Sequence, residues 1–103
     1  MNLTITARHF KLPRDLRDYI EEKVQRLERY HDGIMNMEVI LGWEKLTRYV
    51  EFKVKLNNNQ VVLKETSDDL RKSFDLALDR VERQLKRQKE KLRSSDKERI
   101  HSA

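Results

Sequence analysis

The chain has no cysteine, which excludes disulfides and thiol catalysis and fits a reducing compartment. Its two glycines, Gly33 and Gly42, build neither a P-loop nor a dinucleotide fingerprint, and no zinc-ligand spacing occurs. No apolar stretch approaches the length of a membrane span. The opening MNLTITARHF lacks the basic start and apolar run of a signal peptide, so a cytoplasmic protein without a membrane partner is expected. Catalytic groups are scarce as well. Glu28 and His31 form a lone Glu-x-x-His, whereas a di-metal carboxylate site needs two such pairs and further carboxylates. His9 and His101 stand alone in sequence, and the adjacent pairs Glu21–Glu22 and Asp68–Asp69 diverge on a helix instead of forming acid/base dyads. Neither an enzyme, a metal site, a cofactor nor a small-molecule substrate is expected.

What is abundant is charge. A chain of 103 residues is the size of one small domain. Charged residues make up 40% and hydrophobic ones 37%, a balance that nears disorder-prone compositions but leaves enough Leu, Ile, Val and Phe for a thin core. The net charge is +5. The segment DRVERQLKRQKEKLR, 79–93, holds seven bases against three acids, or +4, which leaves +1 for the other 88 residues. Such local basicity favours nucleic acid or an anionic membrane as partner, through neutralised phosphates and released counterions.

Hydrophobic periodicity sets out the elements. Residues 2–8 alternate Leu3, Ile5, Ala7 against polar neighbours, as a half-buried strand does. From Pro13, placed at a first helical position, Leu16, Tyr19, Ile20, Val24, Leu27 and Tyr30 recur at helical spacing, with Gly33 as the stop. Residues 35–43 point Met35, Met37, Val39, Leu41 and Trp43 inward, and 49–56 do so with Val50, Phe52, Val54 and Leu56. GWEKLTR between them reads as a longer polar loop and a candidate binding segment. NNNQ, 57–60, is turn chemistry before a fourth strand using Val61 and Leu63. Thr66, Ser67 and Asp68 precede a long helix over 68–93 with Leu70, Phe74, Ala77, Leu78, Val81, Leu85 and Leu92 on one line. The order β-α-β-β-β-α predicts an α+β two-layer sandwich: a four-stranded mixed sheet with both helices on one face. Residues 1–93 form the domain, and the tail 94–103 is expected to be disordered.

On the last helix, Arg80, Arg83, Arg87 and Lys91 fall within one 80° stripe, and Lys86, Lys89 and Arg93 within a second across the apolar line. A solvated face with pairs such as Glu82–Lys86 is the bland alternative, but the acids are too few to neutralise the bases. A coiled-coil seam needs more heptads than Val81, Leu85, Gln88 and Leu92 supply, and a membrane-surface helix needs a wider apolar face. Phosphates are the better partner. Arg8, Lys11, Lys23, Arg26, Arg29, Lys45 and Arg48 extend the candidate surface, with Lys23, Arg26 and Arg29 set among Glu21, Glu22 and Glu28. Tyr49 and Trp43 are candidates for stacking on bases. For Trp43 a core position is favoured, since it continues the inward series of its strand.

The chain resembles the short hibernation-promoting factor and ribosome-associated inhibitor A family, bacterial proteins that bind idle ribosomes under stress and in stationary phase. The resemblance covers residues 1 to about 93. It is carried by MNLTITARHF, by the helix ending KVQRLERY, by VILGWEK, and most specifically by SDDLRKSFDLALDRVERQLKRQKEKL. It implies the same sandwich fold, a partner in the small ribosomal subunit, and ribosomal RNA contacts in the decoding channel that block translation sterically. On that carry-over Arg80, Arg83, Lys86, Arg87, Lys89 and Lys91 are the RNA contacts, joined by Arg8, Lys23, Arg26, Arg29 and Lys45. Arg71, Lys72 and Ser73 depart from the aromatic and small residues common in the family between Asp-Leu and the next Asp. The sequence also ends near residue 103 without the extra domain through which long members pair ribosomes. A monomer off the ribosome is expected, and action beside a second hibernation factor or alone on single ribosomes stays open. Two other readings remain. One is a protein-interaction module docking an acidic partner such as a transcription factor. The other is a double-stranded RNA binder, against which the first strand argues, because such domains follow an α-β-β-β-α order.

Overall fold

The computed structural model describes the backbone of residues 1–102 and the side chains of residues 1–91. Expectations placed on Leu92, Arg93 and the tail 94–103 therefore concern side chains outside those described. The order is β1 (Asn2–Ala7), α1 (Arg14–Gln25) continued by a 3-10 segment (Arg26–Tyr30), β2 (Ile34–Glu44), β3 (Thr47–Leu56), β4 (Gln60–Ser67) and α2 (Leu70–Ser102). The strands lie in the order β1-β2-β3-β4, with β1 parallel to β2 and the other neighbours antiparallel. This is the mixed sheet that the periodicity predicts.

Inner-face rows run across the sheet as Ile5–Val39–Phe52–Leu63 and Leu3–Met37–Val54–Val61. Leu16, Ile20 and Val24 of α1 and Phe74, Ala77, Val81 and Leu85 of α2 close over them in a single cluster. Phe74 stacks on Phe52 at 5.8 Å and meets Tyr19 edge-on at 5.7 Å, tying both helices to the sheet centre. Each large apolar side chain so buried contributes about 1.5–3 kcal/mol.

Three local departures from the expected pattern have clear causes. A bulge between Ile34 and Asn36 shifts the register by one residue, so Ile34 is buried and Met35, expected inside, is exposed. A bulge puts two residues opposite one and sends the extra side chain out. GWEKLTR is no long loop: β2 and β3 join through Lys45 and Leu46 alone, with Lys45 at φ 55°, the left-handed first position that tight hairpins use. Pro13 sits at the cap instead of the first helical position. The helix then tightens into 3-10 geometry before Gly33, whose N–H donates to His31 Nδ1 at 2.9 Å.

The start of α2 explains Ser73, the odd residue of its first turn. Asp69 accepts the Lys72 N–H at 3.1 Å as a capping side chain. Ser73 is fully buried, yet its hydroxyl donates to the Arg48 carbonyl at 2.8 Å and lies 2.7 Å from Ser67 Oγ. A small polar residue stitches the helix to β3 where an apolar one would strand that carbonyl. From there α2 runs 33 residues, about 50 Å at 1.5 Å per residue, against about 33 Å for β3.

Candidate nucleic-acid interface

Val81 and Leu85 are fully buried, and they set the rotation of the distal half of α2. One flank turns toward β4. There Arg80 makes a 2.7 Å ion pair with Glu65 and donates to the Lys64 carbonyl at 3.4 Å, while Arg83, Arg87 and Lys91 are exposed. Arg80 is thus partly committed to the sheet. The other flank faces α1. Its upper part is acidic, with Asp75, Asp79 and Glu82 lining a groove against Tyr19, Lys23 and Arg26. Its lower part is basic, since Lys86 and Lys89 meet Arg29 around Tyr30.

The acids are better used than the linear pattern implies. Arg83 pairs with Asp79 at 3.0 Å and Lys86 with Glu82 at 3.7 Å, both one helical turn apart. Exposed pairs of this kind contribute little and give way readily to a stronger anion. Among the described residues Arg87, Lys89 and Lys91 make no ion pair. Unneutralised charge therefore concentrates on the last described turns.

The helix-one bases divide. Arg29 joins the α2 cluster across Tyr30, whose ring carries the Lys86 ammonium at 4.6 Å. Hydrogen bonding to Glu82, and that carboxylate's charge, raise the Tyr30 hydroxyl above its usual pKa. Arg26 is paired with Glu22 at 3.1 Å. Lys23 sits over Tyr19 at 5.5 Å, inside the mixed groove. Tyr19 donates to Asp75 at 2.6 Å, and this bond, with some burial, raises its pKa.

Arg8 and Lys45 lie elsewhere. Arg8 is on the sheet face away from the helices, donating to the Tyr49 hydroxyl at 3.4 Å. Tyr49 is only 6% exposed, packed over Gly42 with the Lys64 ammonium 4.5 Å above its ring, so it offers no stacking face. The assignment for Trp43 reverses too. It is 56% exposed, lining an open cleft with Leu16 of α1 and Leu70 of α2 instead of entering the core. It stacks on Phe10 with centroids 5.7 Å apart and carries the Arg48 guanidinium at 4.2 Å. Lys45 and the 91% exposed Leu46 form the adjoining hairpin tip. Sequence reasoning missed Phe10, Lys64 and Arg71, the last 4.3 Å over Tyr19. Cross-strand register, which pairs Glu51 with Lys64, was the one available signal for Lys64.

His31, of the Glu-x-x-His, is buried with Nδ1 accepting from Gly33, and the described residues hold no cluster of three metal-ligating side chains. Nor is any helix of the described residues long and apolar enough to cross a membrane. The chain matches a family model described as Sigma 54 modulation protein / S30EA ribosomal protein over residues 3–93. The chain belongs to this family.

Relatives within it are named ribosome hibernation promoting factor. That of Pseudomonas putida is 36% identical over 94 residues, covering 91% of this chain and 92% of that protein. That of Escherichia coli K12 is 29% identical over 93 residues, covering 90% and 98%. Among solved structures, a ribosomal subunit interface protein from Coxiella burnetii superposes with a TM-score of 0.81 at 30% identity, over 86% of this chain and 98% of that one. The N-terminal domain of Thermus thermophilus Protein Y gives 0.76 at 35% identity, over 84% and 98%. Ribosome hibernation factors are binding proteins and not enzymes, and a ribosomal subunit is the partner class of the family.

Proposed function

We propose that this chain is a cytoplasmic ribosome hibernation factor that lies in the decoding channel of the small subunit, grips its ribosomal RNA through the distal half of α2, and blocks messenger and transfer RNA sterically. The observation that carries the reading is the concentration of Arg83, Lys86, Arg87, Lys89 and Lys91 on an exposed helix end, with Arg29 brought beside Lys86 and Lys89. Bases held this close repel one another, a cost that phosphates remove while releasing counterions. Arg80 supports the helix through Glu65 and gives the RNA a partly shared contact. Arg8 and Lys45, at the far end of the sheet, belong to a separate contact area, and Lys23 and Arg26 to its margin.

Co-sedimentation with small subunits tests the reading. Neutralising about six phosphates predicts a loss of roughly 10³-fold in affinity between 50 and 200 mM salt. Replacing Arg83, Arg87 and Lys91 by Glu should abolish binding with the thermal transition unchanged. Binding that survives this change removes α2 as the gripping surface. A second reading has one observation in its favour, the sigma 54 modulation in the family's description: the same helix docks an acidic protein partner. Recovery of a pull-down complex after nuclease treatment would favour it over ribosomal RNA.

A further inference from the structure

At the end of the sheet opposite the distal turns of α2, the β1–α1 connection, the β2–β3 hairpin and the start of α2 enclose an open cleft of about 630 Å³. That lies within the roughly 300–1,000 Å³ usual for small-ligand sites. Its apolar walls are Phe10, Leu16, Trp43 and Leu70, and Lys11 and Arg48 stand on its rim. Asp15, Asp68, Asp69 and Arg71 complete the lining; Asp68 lies 3.9 Å from the Lys72 ammonium and Asp69 accepts the capping bond from Lys72 N–H.

An indole that is 56% exposed leaves its apolar surface in water, and no core contact explains why the hairpin should present it. Its orientation is nonetheless fixed. Phe10 stacks on it at an interplanar angle of 18°, and Arg48 adds a second planar group at 4.2 Å. The hairpin behind it is a two-residue turn with no slack, and Thr47 Oγ1 donates to the Glu44 carbonyl at 2.9 Å to lock it. A rigid indole that stays 56% exposed beside its stacked ring and guanidinium, with further cations near, is an arrangement that receives an unstacked nucleobase on its remaining surface while the cations meet the flanking phosphates.

We propose that Trp43, held in place by Phe10 and Arg48, is a stacking platform for one unpaired nucleobase of the RNA this protein binds, with Lys11, Lys45 and Arg48 on the adjoining phosphates. The inference rests on the RNA-binding reading above and adds to it a second contact area, remote from the distal turns of α2 and dependent on one aromatic side chain. A protein surface could also cover an aromatic ledge. The flanking cations and the stacked Phe10–Trp43 pair favour a base.

Trp43 is the only tryptophan of the chain, so its own fluorescence reports the contact. The intact protein is titrated at low salt with small subunits and with a single-stranded oligoribonucleotide of about ten adenosines. Both should quench the emission. On small subunits Trp43→Ala should lower affinity about 5- to 150-fold, the equivalent of about 1–3 kcal/mol for one base–aromatic stack, and Trp43→Phe should restore most of it. Subunit binding with unchanged emission and equal affinity for Trp43→Ala overturns the platform and leaves the α2 reading standing. A loss in Trp43→Ala on subunits, with no quenching by the oligoribonucleotide, assigns the ledge to a protein surface and also overturns it. Absence of subunit binding at low salt removes both readings together.

Discussion

Gly42 and Tyr49 face each other across β2 and β3 on the sheet surface that no helix covers. A Cβ added at Gly42 would stand 2.5 Å from Tyr49 Cζ, so the glycine is there for close approach and not for a turn. Tyr49 is held by Arg8 at its hydroxyl and by Lys64 over its ring, and a rigid buried ring yields poorly. Gly42→Ala should destabilise the fold by about 1–3 kcal/mol, as overpacking does. The double change Gly42→Ala with Tyr49→Val should recover most of that loss, and chemical denaturation of the four members of the cycle measures the coupling. None of this was legible in the sequence. Strict alternation assigned Tyr49 and Ile40 to a wet face, yet both are buried, because alternation records which face a residue takes and not how deeply its neighbours cover it. Trp43 failed for the opposite reason: it continues the inward series of its strand but lines an open cleft between the starts of the two helices.

The contact between α1 and α2 is a polar latch over an apolar floor. Tyr19 bonds Asp75 at 2.6 Å, with Arg71 over its ring and the Phe74 edge beneath. Because the Tyr19 pKa is raised in the folded chain, chiefly by that hydrogen bond, its contribution to stability is complete below the unfolded value near 10. It is lost as pH rises through the folded value. Melting temperatures taken between pH 8 and 11 should show this alkaline limb, and Tyr19→Phe should flatten it. The elements themselves were largely readable, down to Val61 and Leu63 in β4 and the cap region before α2. The three departures each came through a single residue, Met35 at a bulge, Lys45 in a left-handed turn and Pro13 at the cap of α1. Neither of the first two leaves a mark in hydrophobic period, since a bulge shifts the phase for one residue only and Lys is not a usual hairpin residue.

Across the whole molecule the charge is polarised along α2. Asp68 and Asp69 stand just before its first residue and Asp75 and Asp79 in the turns after the first, among Arg71, Lys72 and Arg80, while Arg83, Arg87, Lys89 and Lys91 hold the later turns against Glu82 and Glu90. The two basic stripes were legible because helical phase is arithmetic. The tertiary contacts that sort them, Glu65 on Arg80 and Tyr30 between Arg29 and Lys86, could not be, since they join segments far apart in the chain. If each of Arg83, Arg87 and Lys91 meets a phosphate, replacing all three by Gln should weaken binding at low salt without abolishing it and flatten the salt dependence. The slope of log affinity against log salt should fall by about three, read from sedimentation at several ionic strengths.

Leu85 is the last core residue of α2 among the described ones, and past it the helix meets only the 3-10 segment at Arg29 and Tyr30, so its bearing is set upstream. One residue inserted after Leu85 leaves every earlier core contact intact. It nonetheless swings Lys86, Arg87, Lys89 and Lys91 by about 100° and advances them about 1.5 Å. Seven inserted residues return them to within about 20° of their original bearing, about 10 Å further out. Subunit binding should fail in the first variant with an unchanged melting temperature. In the second the bases regain their bearing, so any remaining deficit reports reach alone.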